Sequence, residues 1–391
     1  MINTRFFLAL LVAFLLSPLS ANPVWAMGWL PQVFIENDSP EPALVDRATA
    51  PTTEPSRLLQ LAKPVSGLTS ATEGRPSFTV ALLPTDPTEI FLRADTTTVT
   101  MPDGNEVVMW GFAQDSAFGA EDGEVTIPGP PLVVETDNAS LTIHLDNNLP
   151  VPVSLVITGH VETGGMEPVY EENRVRAFTH ETPPGNEEAV DYVWNLRKGT
   201  YVYHSGSHPQ VQVQMGLYGV VARKHSPTLA YPETPAYTDE ATLVFSEIDP
   251  DLHDAVATGN YGPEETVTST IEYSPKYFLI NGKPYSSEVG FDPEIALGQT
   301  GQPKLLRLVN TGFKAYQPAW LNLHMTQIAE DGNTVPYRPN RQTIDLPPMK
   351  TVDFIVTPSQ AGRYPIYDRR LFLANGPGSP GGMLRYLTVV E

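Results

Sequence analysis

Short runs in which apolar and polar residues alternate recur along the chain from about residue 76, and turn-forming residues separate them. The clearest of these runs are 140–146, 190–195 and 351–357. In the first run Leu141, Ile143 and Leu145 lie on one face, and the residues between them are polar. A period of two residues predicts β-strands that bury one face. The chain is therefore expected to consist mainly of short strands.

Turn and helix signals interrupt these strands. Asn281-Gly282 lies between two apolar runs and is the dipeptide typical of a two-residue hairpin turn. One helix is predicted over 249–259, because Asp249 suits a helix start and Gly259 suits a helix end. The chain has 39 prolines and 29 glycines in 391 residues, which favours many turns and few long helices. We therefore predict an all-β fold.

Composition divides the chain into segments. A positively charged start, an apolar run over 6–16 and small residues up to Ala26 predict a secretory signal peptide over 1–26, with a transmembrane anchor as the alternative. The stretch 27–75 is rich in proline, serine and threonine and is predicted to be an extended linker. Two β-sandwich domains of ordinary size are expected to follow, over 76–228 and 238–391. The mature protein is predicted to be exported, either periplasmic or secreted.

Charge and cysteine content restrict the partners. The formal net charge is −21, whereas nucleic acids and anionic membrane surfaces attract basic proteins, so neither is expected as a partner. After cleavage of the signal no stretch is apolar enough to span a bilayer. The sequence contains no cysteine. Disulfides are excluded, and so is any thiolate ligand for a metal.

Six segments resemble multicopper oxidases and occur in the order found in that family: 129–150, 153–160, 199–219, 277–285, 305–312 and 362–384. The most similar is 199–219, which resembles the strand, histidine pair and closing turn at the end of the first cupredoxin domain. The resemblance covers most of residues 100–391. It implies two cupredoxin-like (plastocyanin-like) Greek-key β-sandwiches of copper-oxidase ancestry. It also implies a homo-oligomer, since family members with two such domains often form trimers.

The resemblance breaks down at the copper ligands. The family's type 1 (blue) copper needs a thiolate, and the run that supplies it in the family reads Tyr367-Asp368-Arg369 here. The first histidine pair of the family is replaced by Leu155-Val-Ile-Thr-Gly. Only His324 remains of a later histidine cluster. The type 1 site, and the electron transfer that depends on it, are therefore excluded.

Four histidines are candidate ligands of a residual metal site: His204, His208, His160 and His324. His204 and His208 form the best pair, because two imidazoles suit copper or zinc. His160, His180 or His324 would supply a third ligand if the fold brought one near. In the alternative interpretation, His204 is hydrogen-bonded in a buried polar cluster and His208 caps the turn before Pro209. Copper at this residual site is the one cofactor that the resemblance implies.

The stretch after His204 is predicted to remain extended. Gln210, Gln212 and Gln214 alternate with valines, which places the glutamines on one face of a strand. We expect this face to be solvated, with a row of amides that bridges the domains or lines a cleft as the alternative. His204 and His208 are two residues further apart than the family's His-x-His. His208 therefore joins His204 only if Gly206 forms a β-bulge that re-aims the strand.

Acidic residues gather at the predicted helix start: Asp249, Asp251 and Asp254, with His253 among them. Oxygen ligands at this density suit a hard cation such as Ca²⁺. The spacing matches no calcium loop, however, and carboxylates commonly cap a helix start and favour its dipole. We therefore expect a capping role.

Charged residues replace the family's last copper run at 367–370. We expect Asp368 and an arginine to form a buried ion pair that fills the space of the lost ligands. The alternative is an anion or carboxylate pocket built on Arg369 and Arg370, because guanidinium groups bind such groups in a bidentate manner.

Three functions follow, in order of preference. The first is a catalytically reduced family member that acts as a binding or structural protein of the cell envelope. The second is a mononuclear copper-binding oxidoreductase that uses the residual histidines. The third is a true multinuclear oxidase, which needs more histidines than the eight in the chain and a cysteine. Whether the protein is an enzyme, and its substrate or protein partner, stay open at this point.

Overall fold

The computed structural model describes residues 88–134, 139–286, 294–373 and 381–391. The predicted signal peptide and linker lie outside these residues. No helix within the described ranges has the length and apolar character needed to cross a bilayer.

The N-terminal part forms two four-stranded sheets, in the orders β2-β1-β4-β8 and β3-β10-β9-β5, and a small β6-β7 hairpin. We call this unit the N-terminal sandwich. Its elements are β1 (Thr88–Thr100), β2 (Glu106–Asp115), β3 (Leu132–Val134), β4 (Ser140–Asn147), β5 (Leu155–Ile157), β6 (Val169–Glu171), β7 (Arg174–Ala177), β8 (Val190–Asn195), β9 (Gly199–Ser205), α1 (Pro209–Met215) and β10 (Tyr218–Arg223).

The C-terminal part repeats this design with a seven-stranded sheet, β12-β11-β14-β19-β16-β17 with β18 beside β16, and a four-stranded sheet, β13-β21-β20-β15. We call it the C-terminal sandwich. Its elements are β11 (Asp239–Ile248), α2 (Pro250–Thr258), a 3₁₀ turn (Thr270–Glu272), β12 (Tyr277–Ile280), β13 (Glu294–Gln299), β14 (Lys304–Asn310), β15 (Pro318–Trp320), β16 (Met325–Glu330), β17 (Asn333–Thr334), β18 (Asn340–Arg341), β19 (Thr351–Val356), β20 (Gly362–Asp368) and β21 (Leu384–Val390).

The predicted alternating strands are confirmed. Leu141, Ile143 and Leu145 of β4 are all fully buried, and they pack with Tyr192 and Trp194 of the neighbouring β8 in one hydrophobic core. The run at 351–357 forms β19, which ends at Val356 before Pro358. Neighbours that are not consecutive in the chain, such as β1 beside β4, mark the crossovers of a Greek-key sandwich. The all-β fold with two Greek-key sandwiches is thus confirmed, while the domain limits 76–228 and 238–391 stay a prediction.

The predicted helix forms as α2, and its acidic residues have structural roles. Asp249 is the N-cap, whose carboxylate accepts from Asp251 N at 3.1 Å and Ser274 N at 2.7 Å. Asp251 forms a salt bridge with Lys276 at 2.9 Å. His253 is buried and its Nδ1 lies 2.9 Å from Val108 O of β2, in the other sandwich. The helix start is therefore capped, and the helix is anchored to the N-terminal sandwich.

The prediction of an extended chain after His204 is wrong. β9 ends at Ser205 without a bulge, and Pro209–Met215 form α1. Proline is favoured at the first position of a helix, where its missing N–H is not needed. Gln212 and Gln214 are 2% and 3% exposed, so the glutamines are not a solvated row. The Gln/Val alternation resembles a strand only because the helix is buried on more than one side.

The hairpin turn at Asn281-Gly282 is confirmed, and it also joins the two sandwiches. Asn281 and Gly282 have φ angles of 55° and 70°, and Ile280 and Lys283 exchange backbone hydrogen bonds across the turn. A Cβ atom on Gly282 would lie 1.8 Å from Ile127 O of the N-terminal sandwich. Only glycine can supply both the backbone angle and this close approach.

We expect Gly282→Ala to lose more stability than its backbone angle alone explains. Gly301 has a similar φ of 72° but no atom within 4 Å of an added Cβ, so it is the matched control. Gly301→Ala should lose about 1–2 kcal/mol through the left-handed conformation. Gly282→Ala should lose a further 1–3 kcal/mol, roughly, through overpacking against backbone. Urea unfolding measures both, and equal losses would contradict the contact with Ile127.

Candidate functional site

His204 lies on β9, on the strand face that turns away from the N-terminal core. Val202 shares this face and packs against Val244 and Val309 of the C-terminal sandwich. His204 is 8% exposed, and its Nδ1 lies 2.8 Å from the Ser205 carbonyl oxygen. Burial lowers the pKa of His204, so the ring is neutral at pH 7. Since a carbonyl only accepts, Nδ1 carries the proton and Nε2 carries the lone pair that a metal would use.

His208 occupies different surroundings, at the start of α1. It is the N-cap residue, with φ 38°, and its amide donates to Arg176 O of β7 at 2.9 Å. Its side chain is half exposed, with Nε2 3.9 Å from a carboxylate oxygen of Glu171 on the β6-β7 hairpin. No bulge at Gly206 returns the chain toward His204. The structure therefore places the two rings in separate environments, one between the sandwiches and one at the surface.

His160 and His324 are also separate. The Nδ1 of His160 lies 3.2 Å from Thr158 O, and its Nε2 accepts from Arg197 N at 3.1 Å. Both ring nitrogens are thus engaged by backbone, and burial lowers the pKa of this ring. The ring packs edge-on against Tyr201, which precedes His204 by three positions on β9, about 10 Å along a strand. His324 is exposed just before β16.

The donor set does not fit the family's blue copper. The sequence contains no cysteine, and that centre needs a thiolate beside two imidazoles. Across the four described ranges, no group of three or more histidine, aspartate or glutamate side chains is arranged to hold a metal ion. His180, the other candidate third ligand, stacks on Tyr192 at 4.3 Å and lies 3.6 Å from Glu162. Among the histidines named as candidate ligands, His204 is the one whose Nε2 keeps a lone pair in a buried position.

The run at 367–370 does not form the expected ion pair. Asp368 is fully buried, and its Oδ1 accepts from Gln317 N at 2.7 Å. Arg370 is directed elsewhere: its Nη1 donates to Ala315 O at 2.6 Å, and its guanidinium lies 5.5 Å from the Phe372 ring centre. Arg369 is exposed. Asp368 therefore fills the interior with one oxygen bonded to a backbone amide, while its Oδ2 has no partner among the described residues. The alternative of an arginine that faces a pocket remains open for Arg369.

A buried carboxylate that the sequence reading missed is Glu247 of β11. It is 3% exposed, and it accepts from Phe313 N at 2.7 Å, Lys314 N at 3.0 Å and the Tyr316 hydroxyl. Burial outweighs these donors and raises the pKa of Glu247 to about 7. The sequence does contain a signal for this buried glutamate. Glu247 lies two residues after Phe245, at a position where the alternation of a strand with one buried face calls for an apolar side chain.

Glu247 connects to the N-terminal sandwich through one tyrosine. The charge of Glu247 acts on Tyr273, whose pKa burial raises, and the Tyr273 hydroxyl donates to the Gln214 side-chain oxygen of α1. Gln214 is buried by this contact. The chain of polar groups therefore runs from the C-terminal core to the helix that follows His208.

A second buried polar cluster joins the sandwiches at Thr200 of β9. The Thr200 hydroxyl accepts from Arg307 Nε at 2.9 Å and lies 3.0 Å from both carboxylate oxygens of Asp353. Arg307 and Asp353 are opposite each other on β14 and β19, and both are buried. Tyr231 donates a further hydrogen bond to Asp353, and Arg307 pairs with Glu240 at 2.8 Å.

These charges influence one another. Burial lowers the pKa of Arg307, but the charges of Asp353 and Glu240 outweigh it and raise that pKa. The guanidinium therefore remains charged in the interior. Burial raises the pKa of Asp353, opposed by Arg307 and by the Tyr231 and Thr200 hydroxyls. Thr200 thus holds two charged groups of the other sandwich, and this role was not visible in the sequence because the partners are more than 100 residues away.

Two family models of multicopper oxidases match the chain, one over residues 247–386 and one over residues 122–226, and together they cover more than half of it. A comparison with curated proteins finds no match.

Solved structures of copper proteins are similar to this chain. A blue copper oxidase from Nitrosomonas europaea has a TM-score of 0.61 and 18% identity, and the match covers 78% of this chain and 86% of that one. The multicopper oxidase mgLAC has a TM-score of 0.61 and 17% identity, with the same coverage. A copper nitrite reductase from Nitrosomonas europaea has a TM-score of 0.56 and 17% identity, covering 78% of this chain and 95% of that one. These likenesses confirm the cupredoxin fold.

Removing the Thr200 hydroxyl should destabilise the protein. Thr200→Val keeps the shape but leaves Arg307 Nε and Asp353 without their shared partner, and we expect a loss of about 2–3 kcal/mol. Thr200→Ser keeps the hydroxyl and should lose only the buried methyl group, about 1 kcal/mol. Urea unfolding at pH 7 measures both variants. If the valine variant is as stable as the serine variant, the hydroxyl does not bridge the two charges.

Glu247 should make stability depend on pH. Its pKa is about 7 in the folded protein and near the ordinary 4.5 when unfolded, so the folded state binds the proton more tightly. The contribution is complete below about pH 4.5 and is lost as pH rises to about 7. A difference of one pKa unit corresponds to about 1.4 kcal/mol, so the free energy of unfolding should fall by about 3 kcal/mol over this pH range.

Glu247→Gln should remove this part of the pH dependence. Glutamine retains an oxygen for the Phe313 and Lys314 amides and has no proton to release. The difference between parent and variant, measured by urea unfolding from pH 5 to pH 8, isolates Glu247 from the other carboxylates. Parallel stability curves for the two proteins would contradict the raised pKa.

Proposed function

The chain belongs to the multicopper oxidase family, and from this premise we propose that it is an exported member that works without a blue copper centre, as a binding or structural protein of the cell envelope. The observation that carries the proposal is the complete absence of cysteine in a chain that otherwise follows the family through both domains. Without a thiolate the blue site cannot form, so long-range electron delivery from such a site is lost.

The surroundings of the lost ligands support this proposal. At the run that resembles the family's copper ligands, Asp368 is buried and hydrogen-bonded to Gln317 N at 2.7 Å. Of the candidate histidines, His160 has both nitrogens engaged and His208 faces the surface hairpin. His160 and Asp368 are therefore held by contacts within the fold, and no described residues form a cluster of three or more metal ligands around them.

The exported location rests on the sequence. The segment 1–26 has the composition of a secretory signal, and the protein is either periplasmic or secreted. The strong negative charge suits an exported protein that does not bind nucleic acid. A homo-oligomer, with a trimer suggested by the family, belongs to the same proposal.

A second candidate function is a mononuclear copper protein with oxidoreductase activity. Its support is His204, whose Nε2 retains a lone pair in a buried position between the sandwiches. His208, His160 or His324 would complete the ligand set only after the side chains rearrange. Copper is the metal of the family, and it would supply a redox-active ion held by imidazole alone.

Copper loading distinguishes the two functions. We expect the exported chain, loaded with Cu²⁺ and then dialysed, to retain no stoichiometric copper by atomic absorption and to give no type 2 signal by electron paramagnetic resonance. The physical reason is that one neutral imidazole without further donors gives no tight site.

The control variants locate any copper that remains. About one copper per chain that disappears in His204→Ala/His208→Ala but persists in His144→Ala would replace the first function by the second. His144 is a suitable control because it pairs with Asp191 at 2.6 Å on a different sheet. An intense blue colour would contradict both functions.

A further inference from the structure

An open cavity of about 540 Å³ lies at one end of the C-terminal sandwich, beside the run that resembles the family's copper ligands. Three cationic side chains line it: Arg341 of β18, Lys350 before β19 and Arg369 after β20. Glu330 and Asp345 line the same cavity, so the cationic side chains, rather than the net charge of the lining, are the groups that would attract an anion.

Arg369 is held in place by its backbone while its side chain stays available. Its amide donates to Gln317 O at 2.8 Å, which ties the end of β20 to the start of β15. Its guanidinium makes no hydrogen bond or ion pair with any residue in the described ranges. All five N–H donors of this group therefore remain for a ligand.

Arg341 is arranged in a similar way. Its carbonyl accepts from Trp320 Nε1 at 3.1 Å, and β18 pairs with β16 beside it. Among the described residues the side chain has one long contact, from Nε to Gln327 Oε1 at 3.4 Å, and its two terminal nitrogens have no partner there. By contrast, Arg307 and Arg363 of the same sandwich form salt bridges with Glu240 and Glu294, both at 2.8 Å.

The other charges of the cavity limit what it accepts. Lys350 forms salt bridges with Glu330 and with Asp331, the latter at 3.0 Å, so this group of three adds no positive charge and the two arginines are the cations left for a ligand. Asp345 also lines the cavity and accepts from Gln317 Nε2 at 2.7 Å. These carboxylates would repel a polyanion. A ligand with two negative groups matches the two available guanidinium groups.

We propose that this cavity binds a small organic anion that carries two carboxylate groups. Guanidinium groups bind carboxylates through paired N–H···O bonds. Ile344 and Pro347 give an apolar wall against which a carbon chain can lie. The volume is in the range of small-molecule sites and exceeds what an inorganic ion needs. The proposal goes beyond the function proposed above and does not depend on whether copper is bound.

Calorimetric titration of the full exported chain with succinate tests the site. We expect saturable one-site binding that weakens as salt is added. Arg369→Gln and Arg341→Gln should each weaken binding about tenfold or more, because each removes a charge-assisted hydrogen-bond pair. Arg370→Gln is the matched control, since it makes the same charge change at the next residue, whose side chain points out of the cavity. Its affinity should be unchanged.

Three outcomes would overturn the proposal. The first is that succinate produces no saturable heat with the folded parent protein. The second is that Arg370→Gln weakens binding as much as Arg369→Gln, which would reduce the effect to net charge. The third is that inorganic phosphate binds as tightly as succinate, which would contradict an organic ligand. Thermal unfolding of each variant establishes that it is folded before it is titrated.

Discussion

Buried charged groups of one sandwich have a hydrogen-bond partner on the other, and this interaction holds the two sandwiches together. Arg307 and Asp353 lie opposite each other on the face of the C-terminal sheet that is turned away from its own core, where they are buried, and an incompletely paired buried charge is strongly destabilising. The hydroxyl that bridges them belongs to Thr200, on a strand of the N-terminal sandwich. Separating the sandwiches would therefore remove the shared hydrogen-bond partner of Arg307 and Asp353. A chain without disulfides uses this interior polar contact, together with apolar packing, to fix how its halves meet.

Other contacts between the sandwiches follow the same rule. His253 of α2 approaches a carbonyl of β2, Tyr273 reaches Gln214, and the turn at Gly282 lies directly against the backbone of Ile127. Each of these hydrogen bonds and backbone contacts can form in only one relative position of the two sandwiches. Apolar packing alone would tolerate sliding, because it lacks direction. The polar contacts give the interface its specificity.

Local patterns in the sequence predicted the parts of the fold that depend on neighbouring residues. The strand β4, the helix α2 and the turn at Asn281 all follow from periodicity and from residues with restricted backbone preferences. The helix α1 was missed because burial on several sides gives its valines and glutamines a strand-like alternation. The surroundings of His204 and the pairing of Asp353 depend on residues far away in the chain. Periodicity contains no information about such contacts.

The run at 367–370 shows how a strand end of this fold is occupied without a thiolate. Asp368 is buried there: its Oδ1 accepts the Gln317 amide, while its Oδ2 has no hydrogen-bond partner among the described residues, which is costly. The next residue then turns outward, because β20 ends at Asp368 and Arg369 N bonds to Gln317 O. This strand end thus presents a guanidinium to solvent. A buried carboxylate followed by an exposed arginine is compatible with the sheet, because the pairing of β20 with β15 ends at Asp368 and the chain turns after it.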